Sequence, residues 1–334
     1  MIFRAGKKLF FIATFLLLVA VSFFFLRDTA LAPGPEPEPI RNITPAFSMG
    51  MDYPAEEELI FYPATPVPGD FLIIEAGPVA KDVPVELVFD FPGVASSYYR
   101  LGSLLYAVIA ISYDAEPDSY RLAVHTAAGE AVSPGLETEI VIAEKDFRVS
   151  RFSMPPSRTV GWTAERLAAD REKVRLARET TEPYPLWLQR FISPLEGRIS
   201  SEYGAIRYIN DNPPRRHSGI DIAIDEGTPV IAPNRGIVRL AEFLLSGGNT
   251  VILDHGIDIS STYMHLHTIE VETGQVVERG EVIGTVGMTG YATGPHLHWE
   301  VNIGQTPVNP DQLMQNELMW LPPAYVEQKV TDSR

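Results

Sequence analysis

The chain has 334 residues, with 27 lysines and arginines against 43 aspartates and glutamates, a net charge of −16, and no cysteine. Disulfides, iron–sulfur clusters, a thiol nucleophile and thiolate zinc sites are thereby excluded, so any metal must be held by histidine and carboxylate. The first 27 residues carry four bases and no acid, leaving −20 on the remainder; phosphate backbones repel such a body, and nucleic acid is not an expected partner.

In chain order, Arg4, Lys7 and Lys8 precede an unbroken low-polarity run of 18 residues from Leu9 to Leu26. At about 1.5 Å per residue a helix of that length approaches the ~30 Å hydrocarbon core, and the bases place its start in the cytoplasm. Residues 1–27 are therefore expected to be a cytoplasmic stub and transmembrane helix, a single-pass anchor holding the body at the cell membrane on the extracytoplasmic side. A cleaved signal peptide and a secreted form is the alternative, because Ala30-Leu31-Ala32 fits a small-x-small cleavage pattern. Residues 28–46, with Pro33-Gly-Pro-Glu-Pro-Glu-Pro39, read as a stiff, extended spacer. Asn42-Ile43-Thr44 matches a glycosylation sequon, but the tripeptide alone is weak and chance accounts for it.

At roughly 100–200 residues per domain the length predicts two folded bodies, and the pattern is mainly β. Within 47–150, the stretches Phe71–Ala76, Val85–Phe91, Leu105–Ile111, Tyr120–His125 and Glu139–Ala143 are rich in strand formers and separated by Gly, Pro, Asp and Ser. They predict a small antiparallel β-sandwich-like domain. His125 has no chemical partner nearby and reads as a packed residue. Residues 151–192 form a connector whose segment Thr163–Thr181 turns helical in composition, capped by Thr163, with Glu165 in the first turn and Arg175 and Arg178 in the last. Its charges read as a solvated face. A second body, an antiparallel β-sheet with a groove walled by loops such as Tyr203–Arg215 and Leu244–Gly248, is expected over 193–313, followed by a tail, 314–334.

Six of the seven histidines lie between His217 and His298, and this clustering is the functional signal. In His217-Ser-Gly-Ile-Asp221 the alternation Ile220, Ile222, Ile224 argues for a strand that turns Asp221 away from the apolar face, within reach of His217. In Pro295-His-Leu-His-Trp-Glu-Val301, period-2 alternation puts His296, His298 and Glu300 on one face, with Leu297, Trp299 and Val301 on the other. In Ser261–His267 the same period predicts Tyr263, His265 and His267 on one face and Met264 and Leu266 on the other. Each pattern alone is compatible with surface histidines; their coincidence on one framework is not readily a matter of chance.

The stretch from about Ser193 to Pro310 resembles the catalytic domain of the lysostaphin-type (LytM-like) zinc metallopeptidases, which cut peptide bonds in bacterial peptidoglycan. The resemblance rests on SPLEGRISSEYG, HSGIDIAIDEGTPVIAP, GNTVILDHG, YMHL and GMTGYATGPHLHWEV, in the family's order. The N-terminal β-rich segment is more loosely similar to the immunoglobulin-like domain that precedes such catalytic domains in some bacterial members. The resemblance implies one zinc ion per chain held by His217, Asp221 and His298, with His265 and His296 as the two non-ligand histidines of the active site. It also implies that Tyr203, where the family often carries Phe or Tyr, lines the substrate groove. His255 and His267 match no essential position.

Two histidines and one carboxylate leave the fourth tetrahedral position of zinc open to water, as hydrolysis requires. His265 and His296 are then the candidates to accept the water's proton and to stabilise the oxyanion, without a division of labour between them. No H-E-x-x-H helix offers a glutamate base. The expected function is therefore a zinc-dependent endopeptidase acting on stem or cross-bridge peptides of peptidoglycan, membrane-tethered through its N-terminal helix. The alternative is a non-catalytic activator of wall hydrolases or a structural scaffold on the same domain, which the complete ligand set disfavours. VETGQVVERGEVIGTVG resembles biotinyl and lipoyl carriers, but Gly287-Met288-Thr289-Gly290 holds no lysine to modify, so the likeness reduces to hairpin geometry.

Overall fold

The structure is a computed structural model that describes residues 57–80, 83–187 and 189–315. The expected membrane span, spacer and C-terminal tail lie outside the described residues. Among the described residues no helix is long and apolar enough to cross a membrane.

The N-terminal body is built from β1 (Glu58–Tyr62), β2 (Phe71–Gly77), β3 (Val85–Phe89), β4 (Gly93–Ala95), β5 (Tyr99–Leu101), β6 (Leu104–Ile111), β7 (Asp118–Thr126) and β8 (Glu137–Ile142). One sheet runs β1-β2-β6-β4 with β5 also on β6, and a second runs β3-β7-β8. Leu72, Ile74, Leu105, Leu122 and Ile140 from both sheets meet in one apolar core. All eight residues of β6 are buried, which explains its unbroken apolar text: alternation disappears where both faces of a strand are covered.

A short strand, β9 (Val149–Phe152), and the helix α1 (Ala164–Glu179) follow. The strands of the second body are β10 (Arg198–Ser201), β11 (Ile206–Ile209), β12 (Arg215–Arg216), β13 (Ile220–Ala223), β14 (Pro229–Ile231), β15 (Gly236–Leu244), β16 (Gly248–Asp254) and β17 (Ile259–Leu266). Then come β18 (Thr268–Ile269), β19 (Val276–Val277), β20 (Val282–Thr285), β21 (Leu297–Ile303), β22 (Thr306–Val308) and the one-turn helix α2 (Asp311–Gln315). The main sheet runs β10-β13-β21-β17-β16-β15-β19, with β22 on the free part of β21. All its pairings are antiparallel. The carrier-like V-x-x-G text spans β19, at the end of the main sheet, and β20, the centre of a small sheet β14-β20-β18.

Two features depart from the sequence expectation. The segment after residue 150 is not a bare connector, because β9 pairs in parallel with β11 (Ile206 opposite Val149, Ile209 opposite Phe152) and so enters a sheet of the second body, β12-β11-β9. Nor is α1 merely solvated. Thr163 caps it by accepting the Arg166 N–H, while Val174 and the buried Ala177 pack on Leu240, Leu244 and Ile252 of the main sheet. Lys173 reaches Glu242 at 2.5 Å, and Asp170 accepts the Leu245 N–H at 2.7 Å.

Candidate metal centre

Register brings the site together. In the β13–β21 pairing Asp221 stands opposite His298, so the two side chains are nearest neighbours on one face. His217, in the loop before β13, is fixed by its own backbone: its N–H donates to Ala205 O at 2.9 Å and its carbonyl accepts the Gly204 N–H at 2.8 Å. Gly219 lets this loop pass close to β21, since a Cβ there would lie 2.2 Å from the Trp299 carbonyl oxygen.

Three donor atoms converge. His217 Nε2 lies 3.0 Å from Asp221 Oδ1 and 3.0 Å from His298 Nδ1, and His298 Nδ1 lies 2.8 Å from Asp221 Oδ1. Zinc bonded to N and O at about 2.0–2.1 Å would set its ligand atoms roughly 3.3 Å apart, so a small outward adjustment accommodates the ion. The remaining ring nitrogens point the same way. His217 Nδ1 donates to Glu202 O at 2.8 Å and His298 Nε2 donates to Glu300 Oε1 at 3.0 Å. Spending those N–H groups outward turns the other nitrogen of each ring, with its lone pair, toward the centre. The donor set therefore fits a divalent cation such as zinc, and it is the one such cluster found among the described residues.

Electrostatics favour the deprotonated carboxylates. Burial works against the Asp221 carboxylate, but the adjacent His217 and His298 rings outweigh it and hold Asp221 far below the ordinary range. Its second oxygen is bound by Arg207, which also donates to Ser201 Oγ at 2.7 Å. Burial likewise opposes the Glu300 carboxylate and is overcome by the Arg178 charge and by His298 and Ser218. His298 sits between these two acids; burial opposes its charge, yet their hydrogen bonds push it up to about 9. Burial lowers His217.

His265 and His296 flank the centre, their ring centroids 4.9 Å apart, with His265 6.1 Å from His298. His265 Nδ1 donates to Thr289 O and His296 Nδ1 to Gly294 O, each at 2.8 Å, which leaves Nε2 of both rings as an acceptor. His296 Nε2 lies 3.8 Å from Asp221 Oδ1. Burial, then the neighbouring His296 and His298, push His265 down to about 3, so it is neutral at physiological pH.

The alternation predicted for Ser261–His267 needs correction. Tyr263 stands opposite Trp299 and is fully buried, its hydroxyl 2.7 Å from Ser261 Oγ, while Met264 stands opposite His298 on the site face. His265 reaches the same site because the strand bulges: Met264 and His265 lie between residues paired with Val251 and Asn249, and His265 adopts φ +65°. His267 is exposed, 2.7 Å from Glu226 and off the site. His255 is fully buried between Arg235 O and Ser261 Oγ.

Tyr203 is also placed differently from expectation. It is 5% exposed, its hydroxyl donates to Pro307 O at 2.8 Å, and its ring abuts Gly69 of the N-terminal body. The groove of about 540 Å³ at the centre is lined instead by Arg207 and Ile209, by Tyr291–His296 and by Phe152 and Met154. The loop Leu244–Gly248 supports that wall from behind, Ser246 O accepting the Tyr291 N–H at 2.9 Å. Sequence reasoning missed Arg178, Arg207 and the Phe152–Met154 wall. Glu300 was visible as the next same-face residue after His298, but without a role.

Residues 215–310 match the model of peptidase family M23. Over 93 residues the chain is 43% identical to the peptidoglycan DD-endopeptidase ShyA of Vibrio cholerae, covering 28% of this chain and 22% of that one. The catalytic domain of the antimicrobial peptidase lysostaphin from Staphylococcus simulans is 31% identical, the match covering 36% of this chain and 93% of that domain, with a TM-score of 0.33. A Pseudomonas aeruginosa crystal structure described as a peptidase M23 is 29% identical, covers 75% of this chain and 94% of that one, and has a TM-score of 0.54. The chain spans from 20% to 33% of the length of the first curated relatives that it matches.

Proposed function

Because the chain belongs to peptidase family M23, we propose that it is a zinc-dependent endopeptidase hydrolysing stem or cross-bridge peptides of bacterial peptidoglycan. In this reading His217, Asp221 and His298 hold one metal ion, and His265 and His296 serve the chemistry. The observation that carries it is the convergence of His217 Nε2, Asp221 Oδ1 and His298 Nδ1 at 2.8–3.0 Å, with each imidazole's other nitrogen spent on a fixed acceptor. The name of the Vibrio relative supports the substrate class.

A bound zinc ion supplies a Lewis acid and brings the pKa of a water toward ~7. The chain's own residues do the rest. His265, kept neutral by burial, offers Nε2 as a proton acceptor, and Thr289 O holds its ring in that tautomer. His296, the more open of the two rings, lines the same groove and shares the base and oxyanion roles with His265, without a division between them. Arg207 orients Asp221 by binding its second oxygen. Tethering through residues 9–45 would raise the local concentration of an acidic enzyme that gains no attraction from an anionic wall.

The experiment is mass spectrometry of muropeptides released from purified sacculi, with and without chelator and after zinc is restored. New amino and carboxyl ends that vanish with chelation and return with zinc are the expected result. Intact cross-links in every arm would defeat the proposal. His265→Ala should retain about one zinc per chain while losing roughly 10²–10⁴-fold in kcat; retention of full turnover would remove His265 from the mechanism.

A further inference from the structure

We propose that Arg178, on the helix between the two bodies, is a positioning residue for the metal centre, acting through Glu300 on His298; this rests on the assignment of His298 as a metal ligand. Arg178 lies outside the segment that matches the family model, residues 215–310. Its side chain is only 11% exposed and that of Glu300 only 6%, so this is not one of the solvated charges of α1. By contrast, Arg175 on the same helix is 43% exposed and pairs only with Glu172 and Glu179 of its own helix.

The contacts form one chain of bonds. Arg178 Nη2 donates to Glu300 Oε2 at 2.5 Å and also lies 3.2 Å from Thr262 Oγ1. Glu300 Oε1 accepts from His298 Nε2 at 3.0 Å and from Ser218 Oγ. Thr262 stands directly opposite Glu300 in the β17–β21 pairing, so the guanidinium spans two adjacent strands and fixes the carboxylate between them. Without the guanidinium that spans the two strands, the buried carboxylate is free to turn toward another partner. That rotation weakens its grip on His298 Nε2, and with it the orientation of Nδ1. The helix is held to the sheet independently by Val174, Ala177, Lys173 and Asp170, so loss of Arg178 alone leaves its docking in place. The metal site of this chain thus includes a residue from outside the matching segment.

The test is the zinc dissociation constant of the full chain, by competition with a chromogenic chelator, alongside the thermal midpoint of the metal-free protein. Arg178→Met and Glu300→Gln should each weaken zinc binding by about 10–100-fold, and the double variant should be no weaker than Glu300→Gln alone, because Arg178 acts through Glu300. A zinc constant within threefold of wild type in Arg178→Met, or full additivity in the double variant, overturns the proposal even if the midpoint falls. Should Arg178→Met not fold, Arg178→Lys keeps the charge but loses the span to Thr262; a threefold or greater loss of affinity supports the proposal and a smaller one overturns it. Failure of the wild-type chain to bind zinc would instead defeat the assignment of His298, whatever the variants do.

Discussion

His298 lies between two carboxylates, and in the proposed metal site its protonation would link metal binding to pH. In the metal-free chain its pKa stands at about 9, above the ~6.5 of an unfolded histidine. Its contribution to stability is therefore complete below about pH 6.5 and is lost as pH rises through about 9. His217 and His265 are shifted the other way by burial, so they favour unfolding once pH falls below about 6.5, where the unfolded chain takes up protons that the folded one refuses. The metal-free protein should be most stable near neutrality, with a thermal midpoint declining toward pH 9.5. Zinc must displace the His298 proton, so uptake at pH 7.5 should release about one proton per ion from that ring, in addition to any lost by a water at the metal, and the ring's share should fall toward none above roughly pH 9.5. Calorimetry in buffers of different ionisation enthalpy measures this directly. Proton-neutral uptake at pH 7.5 would contradict the arrangement.

The bulge in β17 does what regular strand geometry cannot, and it depends on the neighbouring turn. Gly248, at φ +65°, approaches Thr289 so closely that a Cβ would lie 2.2 Å from Thr289 Oγ1 and 2.4 Å from its carbonyl carbon. Thr289 O holds His265 Nδ1, and Thr289 Oγ1 bridges the Asn249 N–H and Leu266 O. Gly248→Ala should therefore destabilise the fold by about 1–3 kcal/mol and lower kcat by roughly tenfold or more by displacing His265, with zinc content unchanged. Gly280→Ala is the control: its φ is +86° but a Cβ there meets nothing within 4 Å, so it should show the conformational cost without the kinetic one. Thermal unfolding and steady-state rates separate the two. The same bulge marks what the sequence can and cannot convey. Strict alternation correctly set Leu297, Trp299 and Val301 opposite His298 and Glu300 and turned Asp221 away from the apolar face, but that Asp221 stands beside His298 is a matter of the β13–β21 register, which alternation does not give. It failed at Tyr263 and His265, where an extra residue and a left-handed backbone change the face of the strand. Arg178 and Arg207 gave no local signal, since their partners lie 122 and 14 residues away and only tertiary pairing joins them.

At the scale of the molecule, the two β-bodies were predictable from composition, but the seam between them was not, because an apolar residue facing a second body reads like one facing its own core. Phe71 is 2% exposed and lines a small apolar cavity at that seam together with Trp187, Phe191, Val301, Ile303 and Leu313. Its backbone N–H donates to Gln312 Oε1 at 2.7 Å and its carbonyl accepts from Gln312 Nε2 at 3.3 Å. Ser97 donates twice to Asp258, at 2.6 and 2.7 Å, and Tyr203 closes on Gly69. Small interfaces between domains allow independent motion, whereas a buried apolar one couples the bodies it joins. Phe71→Ala should accordingly cost about 3–5 kcal/mol, the transfer and cavity terms of a buried aromatic, and should lower one unfolding transition shared by both bodies. Differential scanning calorimetry distinguishes the alternatives: two transitions, with only one moved by the substitution, would show that the seam does not couple them. Because β21 carries His298 and Glu300 on one face and Val301 and Ile303 into the seam, coupled unfolding would also make zinc raise the stability of the N-terminal body, which contributes no metal ligand.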